Sequence, residues 1–169
     1  VFTSDHGEMM GSQGRYSKTI WYDESLLVPF LIRWPGHIAP GTDNLLLSTP
    51  DLMPTLLSMM GFSDQIPDSV QGADLSGAFL GQDVDRPTSA LYLNVGPEFP
   101  EGGLRGVRTH RYTFVIQRDR GQPDQYVLHN NQEDPYQLRN VADEQPEVVR
   151  ELTQELHGWL ARTGDPWEM

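Results

Sequence analysis

The chain opens Val1-Phe2-Thr3-Ser4-Asp5-His6-Gly7. Two β-prone apolar residues and a Thr run into a polar turn that ends in Gly. This order predicts a buried parallel strand that stops and hands over to a loop. The feature constrains the fold strongly, because ligand and metal groups in α/β proteins gather at such carboxyl ends of strands. Asp5 offers a hard anionic oxygen and His6 an imidazole, while Gly7 allows a sharp turn behind them. The run Gly11-Ser12-Gln13-Gly14 follows, then Lys18, a flexible point charge suited to an oxyanion. Taken singly, the tripeptide is an ordinary turn and Lys18 a solvated surface residue. A strand, a Gly-rich loop and a cation in succession give them a functional reading.

Residues 19–24 fit a short helical turn. Residues 26–34 form an almost unbroken apolar run, as expected of a strand buried on both faces, and Pro35-Gly36 ends it. A short strand is expected over 45–47. A helix then starts at Thr49 as cap, with Pro50 at its first position and Asp51 complementing the dipole. Leu52, Leu56, Met59 and Met60 give it an apolar stripe, and Gly61 ends it. A short helix is expected over 75–80. Strands are expected over 90–95, 104–109, 111–117 and 125–129, and a last helix over 146–162 carries Val149, Leu152, Leu156 and Leu160 on one face. A polar, Pro-bearing stretch at 82–87 suggests a boundary. The expectation is therefore an α/β portion over 1–87 and a small α+β subdomain over 88–169, an antiparallel sheet with a C-terminal helix.

With 169 residues, 37% of them hydrophobic, the chain can build a core of its own. It carries 24 acidic against 12 basic residues, a net charge of −12, which argues against non-specific nucleic-acid binding. An anionic substrate would meet a repulsive overall field, so local cations must overcome it. The absence of Cys excludes disulfides and Cys-ligated zinc. No signal peptide and no apolar run of membrane-spanning length is visible, which leaves the compartment open. The start at Val1, inside an expected strand, reads as the start of a fragment. A strand edge left raw in this way favours self-association, so a homo-oligomer is a further expectation.

Several stretches fall in one order: Ser4-Asp5-His6-Gly7, Lys18, Val28-Pro29 through Pro35-Gly36, Ser48-Thr49-Pro50-Asp51-Leu52, Gln71-Gly72-Ala73-Asp74-Leu75, Val107-Arg108-Thr109 and Asp134-Pro135-Tyr136-Gln137-Leu138-Arg139-Asn140. The series resembles the sulfatase family of the alkaline-phosphatase-like superfamily, in its C-terminal part, and covers nearly the whole chain. The resemblance implies sulfuric ester hydrolysis, with Asp5 and His6 as ligands of a divalent metal of calcium type. It implies that Lys18 contacts the sulfate and assists catalysis. Further ligands, an Asp-Asp pair, and a formylglycine nucleophile are implied upstream of Val1. Gln13 departs from the pattern, since many relatives place His there.

Two adjacent ligands cannot complete a site that wants four to eight donors. The nucleophile motif is also missing: Ser48-Thr49-Pro50-Asp51-Leu52 begins like its Ser form but has Leu52 where Arg is needed. That Ser-Thr-Pro is expected to start a helix. The chain alone is therefore expected to be inactive. For Lys18, an ammonium about 4 Å from an anion contributes roughly 4 kcal/mol at an effective dielectric of about 20, before desolvation. The substrate expected is a sulfate ester of a sugar or an aryl alcohol, with no nucleic-acid or membrane partner. The rivals are a phosphodiesterase or phosphonate hydrolase on the same frame, and a non-catalytic binding module. His37, His110, His129 and His157 read as turn or surface residues. Arg105, Arg108 and Arg111 read as a solvated strand face, or as the lining of a pocket for an acidic sugar. Trp34 and Trp159 read as core. Trp21 and Tyr22 either approach the site or pack.

Overall fold

The computed structural model of the chain describes residues 1–167. They fall into two compact units, Val1–Leu31 together with Leu91 onward, and Ile32–Ala90. The first unit joins two separate stretches of the chain because the N-terminal loop packs on the sheet that follows much later in sequence.

In the first unit, β1 (Phe2–Thr3) pairs antiparallel with β2 (Phe30–Leu31), Phe2 opposite Leu31. A four-stranded sheet has the order β3 (Ser89–Asn94), β4 (Gly103–Thr109), β5 (Tyr112–Arg118), β6 (Gln125–Asn130). The pairs β4–β5 and β5–β6 are antiparallel, and Phe114 stands opposite both Val107 and Leu128. The bounds of these strands agree with those expected to within one residue at each end.

The sheet is covered on both faces. On one, Val107, Phe114, Ile116 and Leu128 pack with Leu152, Leu156 and Leu160 of the long helix Pro146–Thr163. Each such Leu contributes about 2 kcal/mol by burial. Pro146 opens that helix, and Gly164 closes it at φ 66°. On the other face, Met9, Ile20 and Trp21 of the N-terminal loop pack on Tyr92, Leu104 and Val115. Two covered faces explain why β4 and β5 each hold four consecutive buried residues.

The N-terminal strand departs from expectation. The run 26–34 contains only β2, preceded by the short helix Asp23–Leu26, and Val1, Phe2, Leu27 and Leu31 are exposed. The pairing with β1 is antiparallel, not the buried parallel pairing that apolar composition predicts. Apolar composition marks a face that can be buried; it does not say that the covering strands lie within these residues.

The second unit centres on the helix Thr49–Met59. Ser48, one residue before the expected Thr49, is its N-cap. Asp51 Oδ2 accepts from the Ser48 backbone N–H at 2.9 Å and the Ser48 hydroxyl at 2.8 Å, and Oδ1 accepts from Ala73 N–H at 2.8 Å. Thr55 Oγ1 accepts from Leu75 N–H at 2.9 Å. A Cβ on Gly72 would lie 1.9 Å from the Pro50 carbonyl oxygen, so only Gly lets the 71–75 stretch reach the helix start. A second short helix spans Ser76–Phe79. Residues 45–47 form no strand. Among the described residues, no helix is long and apolar enough to cross a membrane.

Candidate active site

Asp5, His6 and Lys18 meet. His6 Nδ1 lies 2.7 Å from the Gly7 carbonyl, which can only accept, so Nδ1 carries the proton and Nε2 presents its lone pair. The Lys18 ammonium donates into that lone pair at 2.5 Å. Asp5 Oδ2 lies 3.2 Å from the same Nε2. Two proton-free donor atoms thus face a shared position beside a cation. Asp5 is held ready by its own backbone: His6 N–H donates to Oδ1 at 3.0 Å, and with the Asp5 N–H this keeps the carboxyl below its usual range. The Ser4 hydroxyl reaches Asp5 Oδ1 at 3.2 Å and the His6 carbonyl at 3.0 Å, a bracing role the sequence did not single out. The Asp5 side chain is 81% exposed and that of His6 35%, so both are open to a ligand from solvent.

The loop is fixed by backbone. Gly7 N–H bonds the Ser25 carbonyl at 2.9 Å, and a Cβ on Gly7 would lie 1.9 Å from the Glu24 carbonyl oxygen. Gly7 is thus required for close approach of two backbones, not for the sharp turn its sequence context suggests; its φ is not in the left-handed region. Met9 N–H bonds the Ser17 carbonyl at 2.9 Å and closes a hairpin over 9–17. Lys18 stands between Ser17 at φ 72° and Thr19 at φ 71°, conformations that cost free energy in any residue with a Cβ. Asn94 Nδ2 clamps the Thr19 carbonyl at 2.7 Å.

A buried network ties this loop to the sheet. Arg108 pairs with Asp23 and donates to Thr113 Oγ1 at 2.8 Å. Gln137 accepts from Asp23 N–H at 2.8 Å and donates to Asp23 Oδ1 at 3.1 Å, Thr113 Oγ1 at 3.0 Å and Asn131 Oδ1 at 2.9 Å. Arg105, 1% exposed, points to the opposite face and pairs with Asp165. Arg111 pairs with Glu133 in solvent. The three arginines are therefore neither one solvated face nor a pocket lining. Residues 105 and 108 differ in parity, and strand alternation sends them to opposite faces. Gln137 was missed by sequence reasoning; a polar residue inside a turn gives no sign that it is buried.

His129 is buried in β6, not at a surface or turn. Its Nδ1 donates to the Arg139 carbonyl at 2.9 Å, and Nε2 accepts from Trp21 Nε1 at 3.3 Å. Burial lowers its pKa from 6.5. Trp21 and Tyr22 therefore pack, and their rings lie 5.4 Å apart. Trp34 is half-buried and stacks on His37 at 4.0 Å, and Trp159 is half-buried against the core.

The donor set fits part of a divalent-cation site. A carboxylate oxygen suits calcium; imidazole nitrogen is a less common calcium ligand and suits transition metals better. The His6 tautomer is the one a ligating imidazole uses, its other nitrogen held by a carbonyl. Among the described residues, no group of three or more His, Cys, Asp or Glu side chains could hold a metal.

A family model described as N-sulphoglucosamine sulphohydrolase, C-terminal, matches residues 11–163. An endo-4-O-sulfatase of Bacteroides thetaiotaomicron is 42% identical over 99% of this chain. A solved structure from Bacteroides fragilis, of a protein assigned to the sulfatases, superposes with a TM-score of 0.92 at 39% identity over 98% of this chain. A phosphonate monoester hydrolase of Agrobacterium radiobacter superposes with a TM-score of 0.75 at 26% identity over 95% of this chain. The chain spans 36% of the length of the endo-4-O-sulfatase and 34% of that of the phosphonate hydrolase.

Proposed function

The chain belongs to the sulfatase family, in its C-terminal region, and from that premise we propose that it is the part of a sulfuric ester hydrolase that supplies one wall of the active site. The observation that carries this reading is the convergence of Asp5, His6 and Lys18 on one position. Asp5 and His6 would hold a divalent cation, calcium by family resemblance. Such an ion, when bound, would neutralise charge on the ester's oxygens and orient the group for displacement.

The chain's own residues do the rest of what this wall does. The Gly7 carbonyl fixes the His6 ring so that Nε2 faces the site. The His6 lone pair serves either Lys18 or a metal, never both. Once that lone pair is given elsewhere, the ammonium is free to donate to a sulfate oxygen, where it stabilises charge that develops as the ester bond breaks. The strained, clamped backbone on either side of Lys18 sets where that ammonium can reach.

The substrate class is a sulfated sugar, in keeping with the matching family's description and the endo-4-O-sulfatase relative. The phosphonate hydrolase likeness supports a second reading, since sulfate, phosphate and phosphonate esters present similar oxygens to the same cations. The nucleophile and the remaining metal ligands belong to a larger parent protein, and the 169-residue chain alone is inactive. The test is to assay the parent protein on sulfate, phosphate and phosphonate monoesters side by side. A preference for sulfate of a hundredfold or more is expected, with no turnover by the 169-residue chain. Preference for the phosphorus esters would establish the second reading instead.

A further inference from the structure

Among the described residues, positive φ at a non-glycine position occurs at Met10, Gln13, Ser17, Thr19 and Gln137. All five lie in two loops, 10–19 and 134–139, and the loops are joined: Gln13 Nε2 donates to the Tyr136 carbonyl at 2.8 Å. Such backbone persists only where its surroundings hold it. Here they do. Gly11 N–H bonds the Arg15 carbonyl at 2.8 Å, and the Ser12 hydroxyl donates to Glu24. Gln137 is buried among Asp23, Thr113 and Asn131. What this fixing presents to solvent includes two aromatic rings, Tyr16 and Tyr136, 83% and 72% exposed, with Met10 and Leu138 also open at 81% and 73%. Arg15 is exposed beside Tyr16 and its side chain forms no ion pair among the described residues. Lys18 stands at the foot of the same hairpin.

We propose that these joined loops are the subsite for the saccharide adjoining the ester. Tyr16 and Tyr136 are its stacking faces, and Arg15 is its contact for a carboxylate or second sulfate on the sugar. Gln13 is a positioning residue that fixes Tyr136 relative to Tyr16. The inference rests on the sulfatase reading above. Tyrosine offers a large, rigid, amphipathic face at low entropy cost, which suits a ring with apolar C–H faces and polar edges. A guanidinium fork matches carboxylate and sulfate. In a chain of net charge −12, an unpaired cation beside an open ring locally offsets the repulsion that an anionic saccharide meets.

The test uses the parent protein, with a sulfated oligosaccharide and a small aryl sulfate as paired substrates, and melting temperature measured for each variant. Y16A and Y136A should each raise the ratio of oligosaccharide KM to aryl-sulfate KM about tenfold, and Y136F should restore it. Q13A should raise the ratio less, and R15Q should raise it only for saccharides with a second anion. Unchanged ratios in both alanine variants would overturn the proposal. So would a joint fall in melting temperature and aryl-sulfate turnover, which would show that other polypeptide of the parent covers the face. Should the parent cleave no sulfate ester, the proposed activity falls. Calorimetry with the oligosaccharide then decides the subsite: weaker binding by Y136A sustains it and equal binding overturns it.

Discussion

Two regions carry the chain's family-like motifs, and they use their polar groups in opposite ways. In the second unit, Asp51 accepts from Ser48 twice and from Ala73, and Thr55 accepts from Leu75. Its polar capacity is consumed inside the fold. In the N-terminal loop, the backbone is tied down as thoroughly, yet Asp5 Oδ2, His6 Nε2 and the Lys18 ammonium meet where solvent reaches them. The same pattern of Gly and carboxylate is consumed within the fold in one place and left open to solvent in the other. What separates them is where the donor and acceptor atoms end up, which spacing alone does not reveal.

The sharpest way to separate the two regions is to remove Lys18. In the parent protein, K18A should lower kcat/KM on a sulfate ester by about a hundred- to a thousandfold, in the range for a lost charge-stabilising donor. Its thermal melt should stay within about 1 °C, because an exposed side chain away from packing contributes little to stability. A large loss of stability would move Lys18 to the scaffold side.

The two close-approach glycines give a matched pair. G7A and G72A each place a Cβ 1.9 Å from a carbonyl oxygen. G7A should displace the Asp5–His6 donors and lower turnover about a hundredfold, since a misplacement of about 1 Å is enough for that. G72A should act on urea stability and leave activity per folded molecule intact. If both variants act through stability alone, the distinction between the regions fails.

D51A should cost about 2 kcal/mol in urea unfolding, from the lost cap and the orphaned Ala73 N–H. An effect below about 0.5 kcal/mol would show that Ser48 and Ala73 find other partners.

The smallest effect concerns His129. Its folded pKa lies below 6.5, so the unfolded chain binds more protons just under that pH. Its contribution is complete above about 6.5 and drains as pH falls toward the folded pKa. Urea midpoints measured from pH 7 to 5 should decline, and H129Q should flatten the slope. A slope unchanged in H129Q would place the titration elsewhere.

Much of the fold was legible in the sequence. The sheet strands lie within a residue of their expected bounds, and Leu152, Leu156 and Leu160 marked the long helix face. Ser48-Thr49-Pro50 marks a helix start, with Ser48 rather than Thr49 as the cap. The covering of the second sheet face by Met9, Ile20 and Trp21 was not legible, because a Gly-rich loop carries no period. The exposure of Val1 and Phe2 was not legible either: their type says they can be buried, not by what. For the candidate site, residue types together with the family resemblance singled out Asp5, His6 and Lys18. The contact between Lys18 and His6, the bracing by Ser4 and the anchoring by Gln137 depend on backbone paths that no local pattern encodes.

The most direct test is calcium titration calorimetry on the parent protein. The D5N/H6A double variant should bind at least tenfold more weakly than the wild type, with K18A retaining binding. Equal calcium affinity in wild type and double variant would contradict the account, because Asp5 and His6 would then lie outside the metal site.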